Sequence, residues 1–125
     1  MKTCTDPKRF IADFFTAYSA EVIDGDEDPA TVVDRYHTPD VIQVADGHAM
    51  DRTKIVDHVS PLRRTKPTNR IEVHEALVDG DTIAARYTMH VQTRKKAMTI
   101  EICFFGEFAD DGRMRRAHML TRTSD

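Results

Sequence analysis

The sequence predicts an α+β domain, and three observations carry that expectation. Apolar residues recur at helical spacing through the first half of the chain. They alternate with polar residues through the second half, and aspartate–glycine turns punctuate the alternating runs. Asp6-Pro7 is a helix start, a side-chain acceptor followed by a proline at the first helical position. Phe10, Ile11, Phe14, Phe15, Tyr18 and Val22 then draw one apolar stripe, which ends at Asp24-Gly25-Asp26. Asp28-Pro29 repeats the start signal for a short helix carrying Val32, Val33 and Tyr36, broken at Thr38-Pro39-Asp40. Val41 to Ala45 reads as a strand and Asp46-Gly47 as the turn after it. From Asp51 onward, Ile55, Val56, Val59 and Leu62 return to helical spacing, and Ser60-Pro61 kinks or ends that third helix.

The remainder predicts sheet. Ile71, Val73 and Leu77 alternate with polar residues up to the hairpin signal Asp79-Gly80-Asp81. Ile83, Ala85, Tyr87, Met89 and Val91 alternate with Ala84, Arg86, Thr88, His90 and Gln92. After a turn at Arg94-Lys95-Lys96, Ile100, Ile102, Phe104 and Phe108 alternate with Glu101, Cys103, Phe105 and Glu107. Asp110-Asp111-Gly112 leads into a last strand from Met114 to Thr123. Helices first and long antiparallel strands after them predict a twisted sheet with helices on one side. Such a sheet can fold around a cavity of the concave, largely apolar kind that small molecules use.

The chain of 125 residues fits a single domain, 1–125, with a core of about 7–123. A net charge of −3 leaves no basic footprint for nucleic acid or an anionic membrane. No apolar run approaches the ~18 residues of a membrane span. Cys4 and Cys103 form no C-x-x-C pattern, and the start of the chain lacks an apolar leader, so a reducing, cytoplasmic location is expected. His37, His48, His58 and His118 show no metal-binding spacing, and neither Walker nor dinucleotide motifs occur. The reading therefore expects no metal and no cofactor. The basic clusters Arg63-Arg64, Arg94-Lys95-Lys96 and Arg113-Arg115-Arg116 sit at turns and strand ends and read as solvated faces.

The order of elements resembles the nuclear transport factor two-like superfamily, in its SnoaL-like and ketosteroid isomerase-like branch. "FFTAYSAEVIDGD", "YHTPDVIQV", "VDGDTIAARYT" and "GEFADDGRM" carry the likeness, which runs from roughly Phe10 to Thr123. It implies a cone-shaped curved antiparallel sheet wrapped around N-terminal helices, an α+β barrel with an internal pocket, and a homodimer through the sheet. That superfamily hosts isomerases, cyclases, dehydratases, hydrolases, binders and association domains, so fold does not settle function. The isomerase pattern pairs an Asp base with an oxyanion hole of a Tyr and a protonated Asp. The family's tyrosine matches Tyr18, seven residues before Gly25. The positions of its base and second donor hold Ala45 and Phe104, which speaks against steroid isomerase chemistry.

Candidate site residues follow, each beside a plainer reading. Tyr18 is a hydrogen-bond donor for a ligand carbonyl or an amphipathic tyrosine at the end of its stripe. Arg86 and His90 share one face of a strand. If that face is concave, His90 is an acid/base group and Arg86 a clamp for an anion or carbonyl. If it is convex, both are surface groups and the odd-numbered residues make the core. His74 and Glu72 pose the same question, and Glu101 beside His90 is either an orienting carboxylate or a cross-strand surface partner. Asp46 lies one residue past the isomerase base position. It is either a catalytic carboxylate or, as Asp-Gly commonly is, the first residue of a tight turn. Phe14, Phe15 and Phe104 would line the pocket. The leading expectation is a small apolar molecule bound in the cavity, with cofactor-independent acid/base chemistry. The alternative is a ligand-binding or homodimeric association domain. A filled interior under a large apolar outer sheet would favour association.

Overall fold

The computed structural model describes residues 4–124, so both ends of the expected domain, residues 1–3 and 125, lie outside the description. Helix α1 (Pro7–Asp24) begins where the sequence places it, with the Asp6 carboxylate accepting from the Arg9 amide at 3.1 Å. Helix α2 (Pro29–Tyr36) passes directly into strand β1 (His37–Ala45), four residues earlier than the apolar pattern suggests. The short strand β2 (His48–Asp51) has no apolar alternation and no counterpart among the predicted elements. The third helix is two, α3 (Arg52–Asp57) and α4 (Val59–Thr65), and Pro61 falls in the first turn of α4, where its missing N–H costs nothing. Strands β3 (Thr68–Asp79), β4 (Thr82–Gln92), β5 (Ala97–Phe108) and β6 (Met114–Ser124) then run as a meander.

The six strands make one sheet in the order β2-β1-β6-β5-β4-β3. It is curved and mixed rather than wholly antiparallel, because β1 and β6 pair in parallel. The reason is chain geometry. β2 returns on one edge of β1 through a two-residue turn, and β6, arriving from the β5 hairpin, takes the other edge. The sheet is not closed among the described residues, and β2 and β3 are its edges.

Alternation sorts the long strands into two faces. Ile83, Ala85 and Tyr87 of β4, with Ile102, Phe104 and Phe108 of β5, turn inward and are buried with Ile11 and Phe14 of α1. A second apolar cluster joins Val22 and Ile23 of α1 to Val32, Val33, Val41, Ile55 and Val59. Arg63 binds the α1 C-terminus to α4: its guanidinium donates to the carbonyls of Val22 at 2.9 Å and Glu27 at 2.6 Å.

Gly106 is the tightest point of the inner layer. A Cβ there would stand 2.3 Å from the Phe104 ring and 3.2 Å from the Phe108 ring. Gly106→Ala is therefore expected to destabilise the fold by about 1–3 kcal/mol through overpacking. Urea unfolding followed by circular dichroism measures it, and an unchanged midpoint would mean that Phe104 moves aside freely.

Candidate functional site

Aromatic rings pack together beneath the first turns of α1. Phe15 lies 5.4 Å from Tyr87 and 5.5 Å from Phe104 between ring centroids, and Phe14 meets Phe108 edge-on at 5.4 Å. These distances are those of mutually packed rings. Phe14, Phe15 and Phe104, expected to line a pocket, thus pack against one another's neighbours in the core. Burial holds the Tyr87 phenol well above its ordinary range.

Tyr18 lies one turn further along α1. Its ring packs 5.2 Å from Tyr36 and 5.0 Å from His37. Burial pushes the Tyr18 phenol up to about 12, so it stays protonated at neutral pH. Among the described residues its hydroxyl has no hydrogen-bond partner. The Tyr36 hydroxyl donates to the Glu21 carboxylate, which Arg35 also holds; burial first, then this bond, raises Tyr36 to about 12. His37 is 2% exposed and its Nδ1–H donates to the Val33 carbonyl at 2.9 Å. That bond leaves Nε2 as the basic nitrogen of a neutral ring. Burial lowers the His37 pKa, which the Val33 bond and the nearby Asp34 carboxylate only partly offset. Tyr36, His37 and Glu21 were not singled out as site residues from sequence. The only sequence signal for them was helical spacing from Tyr18 and the helix end at Tyr36.

The expected polar wall lies elsewhere. Arg86 and His90 are on the outer face of β4, opposite to Ile83, Ala85 and Tyr87, which enter the core. Arg86 Nε sits 3.1 Å from Glu75 and His90 Nε2 3.1 Å from Glu72, both cross-strand pairs on β3. The His90 contact is the main cause holding Glu72 below the usual carboxylate range. His74, at the bulge of β3, contacts the Thr88 hydroxyl at 2.6 Å on the same side. Glu101 does not reach His90; it is paired across strands with Arg122, whose Nε is 2.9 Å away. Asp46 and Gly47 both have positive φ, 51° and 84°, as a type I′ hairpin turn requires. The Asp46 carboxylate accepts from the Thr121 amide at 2.8 Å and from the Thr121 hydroxyl, contacts that lower its pKa and tie the turn to β6. None of these five groups contacts Tyr18 among the described residues, whose ring meets Tyr36 and His37.

The outer face also holds a concavity. A groove of about 1000 Å³ crosses β3 to β6, floored by Ala84 and Cys103 and walled by Leu77, Arg86, Phe105 and Leu120. Leu77 is 76% exposed, Phe105 61% and Leu120 64%. Cross-strand register sets Leu77, Ala84, Phe105, His118 and Val44 in one row, with Cys103 beside Leu120 in the next.

This architecture matches a family model described as a SnoaL-like domain over residues 10–117. The chain belongs to the SnoaL-like family. No curated protein sequence matches it. Several solved structures share the SnoaL-like fold at low identity. An epoxide hydrolase of the LEH-like type from M. tuberculosis is 16% identical with a TM-score of 0.64, over 91% of this chain and 84% of that one. PrhC from Penicillium brasilianum is 11% identical with a TM-score of 0.68, over 94% and 83%. A de novo designed protein with a curved β-sheet is 17% identical with a TM-score of 0.60, over 96% and 88%. At such identities the likeness is one of fold. Among the described residues no group of His, Cys, Asp and Glu is arranged for a metal ion, and no helix is long and apolar enough to cross a membrane.

The buried His37 makes stability pH-dependent. Its folded pKa is below the unfolded value, so the unfolded chain binds more protons in the interval between them. The contribution is fully present above the unfolded pKa of about 6.5 and is lost as pH falls toward the folded one. Wild-type stability in urea should fall below about pH 6.5, and His37→Gln should show a shallower fall. Equal slopes for the two proteins would remove His37 as the cause.

Proposed function

We propose that this SnoaL-like domain works as a homodimer joined through the outer face of its sheet. The observation that carries the reading is the group of exposed apolar side chains, Leu77, Phe105 and Leu120, on two adjacent rows of the outer face. Monomeric proteins rarely leave a contiguous patch of this kind in water. The surrounding charges support a second copy as the occupant. Glu75 with Arg86, Glu107 with Arg116 and Glu101 with Arg122 supply equal numbers of acids and bases around the apolar rows. A surface carrying both signs in equal measure can pair with itself across a two-fold axis. The mutual packing of Phe15 with Tyr87 and Phe104 beneath α1 supports the same reading.

Size-exclusion chromatography with light scattering tests it. The wild type is expected at about twice its chain mass of 14.3 kDa. Phe105→Glu and Leu120→Glu are expected to weaken the dimer by at least roughly 30-fold, the effect of losing a central anchor, with circular dichroism unchanged. A wild type that stays monomeric at high concentration sinks the reading.

A second reading rests on a separate observation, the Tyr18 ring packed 5.0 Å from the His37 ring with no hydrogen-bond partner for the Tyr18 hydroxyl among the described residues. It is a small apolar molecule with a carbonyl, held by Tyr18, with acid/base chemistry drawn from this chain alone. His37 then takes the role of base in place of His90, because His37 is next to Tyr18 and His90 is on the far side of the sheet. Tyr18→Phe should weaken binding of a responding ketone by about 3–10-fold, the value of one hydrogen bond. Titration of a panel of small ketones and steroids, read by NMR shifts of His37, measures this. No His37 response to any member, or no difference for Tyr18→Phe, ends it.

A further inference from the structure

Phe105 stands beside a gap on the outer face. Along β5 the outward series is Thr99, Glu101, Cys103, Phe105 and Glu107, so Phe105 is the large apolar side chain that this strand sends out. Its register partner on β4 is Ala84, and the partner of Ala84 on β3 is Leu77. A methyl group thus stands between two long, exposed side chains, with the Cys103 thiol in the next row. All four residues line the groove of about 1000 Å³. Charged cross-strand pairs bound the apolar rows, Glu107 with Arg116 at 3.2 Å on one side and Glu101 with Arg122 on the other. A covering surface that slid along the strands would press apolar side chains onto these pairs and strip them of water. The apolar contact is therefore confined to the two rows that hold Phe105, Ala84 and Cys103.

We infer that the Phe105 ring of each copy seats in the groove of the other, over Ala84 and Cys103, and that the small size of Ala84 sets which side chain fits there. The inference rests on the homodimer reading. A two-fold interface is self-complementary, so a face that presents a projecting ring must also present the recess that takes it. Phe105 is the one exposed aromatic ring among the described residues. Aromatic anchors seated in pockets near the centre of an interface carry much of its energy.

Exchange between variant subunits tests it. Ala84→Leu fills the groove and should weaken its own dimer on the order of 10–100-fold, because the ring meets extra methylenes in both seats. Phe105→Leu should weaken its dimer about 10-fold through the space left in both seats. Ala84 and Phe105 are also neighbours within one chain, so the two changes are kept in separate chains, where only contact between copies can couple them. Mixed, the two variants should form a heterodimer on the order of 10-fold above the random proportion. In it the enlarged groove faces the shortened side chain, and the native groove faces the native ring. Native mass spectrometry of differently tagged subunits measures the proportions, with circular dichroism to check the fold. Ala84→Val takes the place of Ala84→Leu if the larger side chain unfolds the chain. Leu120→Ala mixed with Ala84→Leu is the control and should show no preference. Random proportions for Ala84→Leu with Phe105→Leu, or a preference with Leu120→Ala instead, overturn the inference and leave the dimer standing. A wild type that stays monomeric fails the homodimer reading and takes the inference with it.

Discussion

Phe10, Phe14 and Phe15 of α1 meet Tyr87, Phe104 and Phe108 of the sheet at centroid distances of 5.1–5.5 Å, and the rest of the molecule is arranged around that contact. A long strand bent over a helix buries one side chain in two. Aromatic rings supply large area per residue and interlock edge to face, so few of them hold a helix onto a curved sheet. Gly106 belongs to the same contact, since only a residue without Cβ lets the Phe104 ring fold back over the strand. The helices α2 to α4 then close the other end through aliphatic packing around Val33 and Val59, with Arg63 binding the α1 terminus to α4.

Packing rings beneath α1 moves the site question outward. The four groups that sequence reasoning treated as wall or base, Arg86, His90, His74 and Asp46, find partners on the outer face or in a turn. Their partners are Glu75, Glu72, Thr88 and Thr121. The inward polar groups are fewer. Tyr18 and His37 are held by aromatic packing and one backbone bond, which is how a neutral imidazole is kept buried without a charged partner. The outer face keeps both apolar rows and paired charges. It is consistent that one sheet offers two dissimilar surfaces, because strand side chains alternate sides and each side answers to its own solvent.

The structural relatives separate shape from chemistry. An epoxide hydrolase and a designed protein with a curved sheet share this frame at similar TM-scores, 0.64 and 0.60. What the frame requires is a helix stripe, a bent antiparallel meander and turns that fit. Those features leave the polar residues free to vary, so the family likeness carries fold and not activity.

The same division runs through the sequence itself. Helix starts at Asp6-Pro7 and Asp28-Pro29, the turns at Asp46-Gly47 and Asp110-Asp111-Gly112, and the alternation of β4 and β5 were legible because neighbours in the chain cause them. Strand β2 and the early start of β1 were not, since tertiary pairing and not local pattern holds them. Which face of the sheet is inside was also undetermined. Leu77, Phe105 and Leu120 on one face and Ile83, Tyr87 and Phe104 on the other are both apolar, and alternation alone assigns no sign to the two sides. By itself the sequence determined a SnoaL-like α+β frame and its elements, which follow from local propensity and period. Only the tertiary structure decided that β4 turns Tyr87 in and Arg86 out, because that choice is made by where α1 lies, and α1 meets the sheet about seventy residues away along the chain.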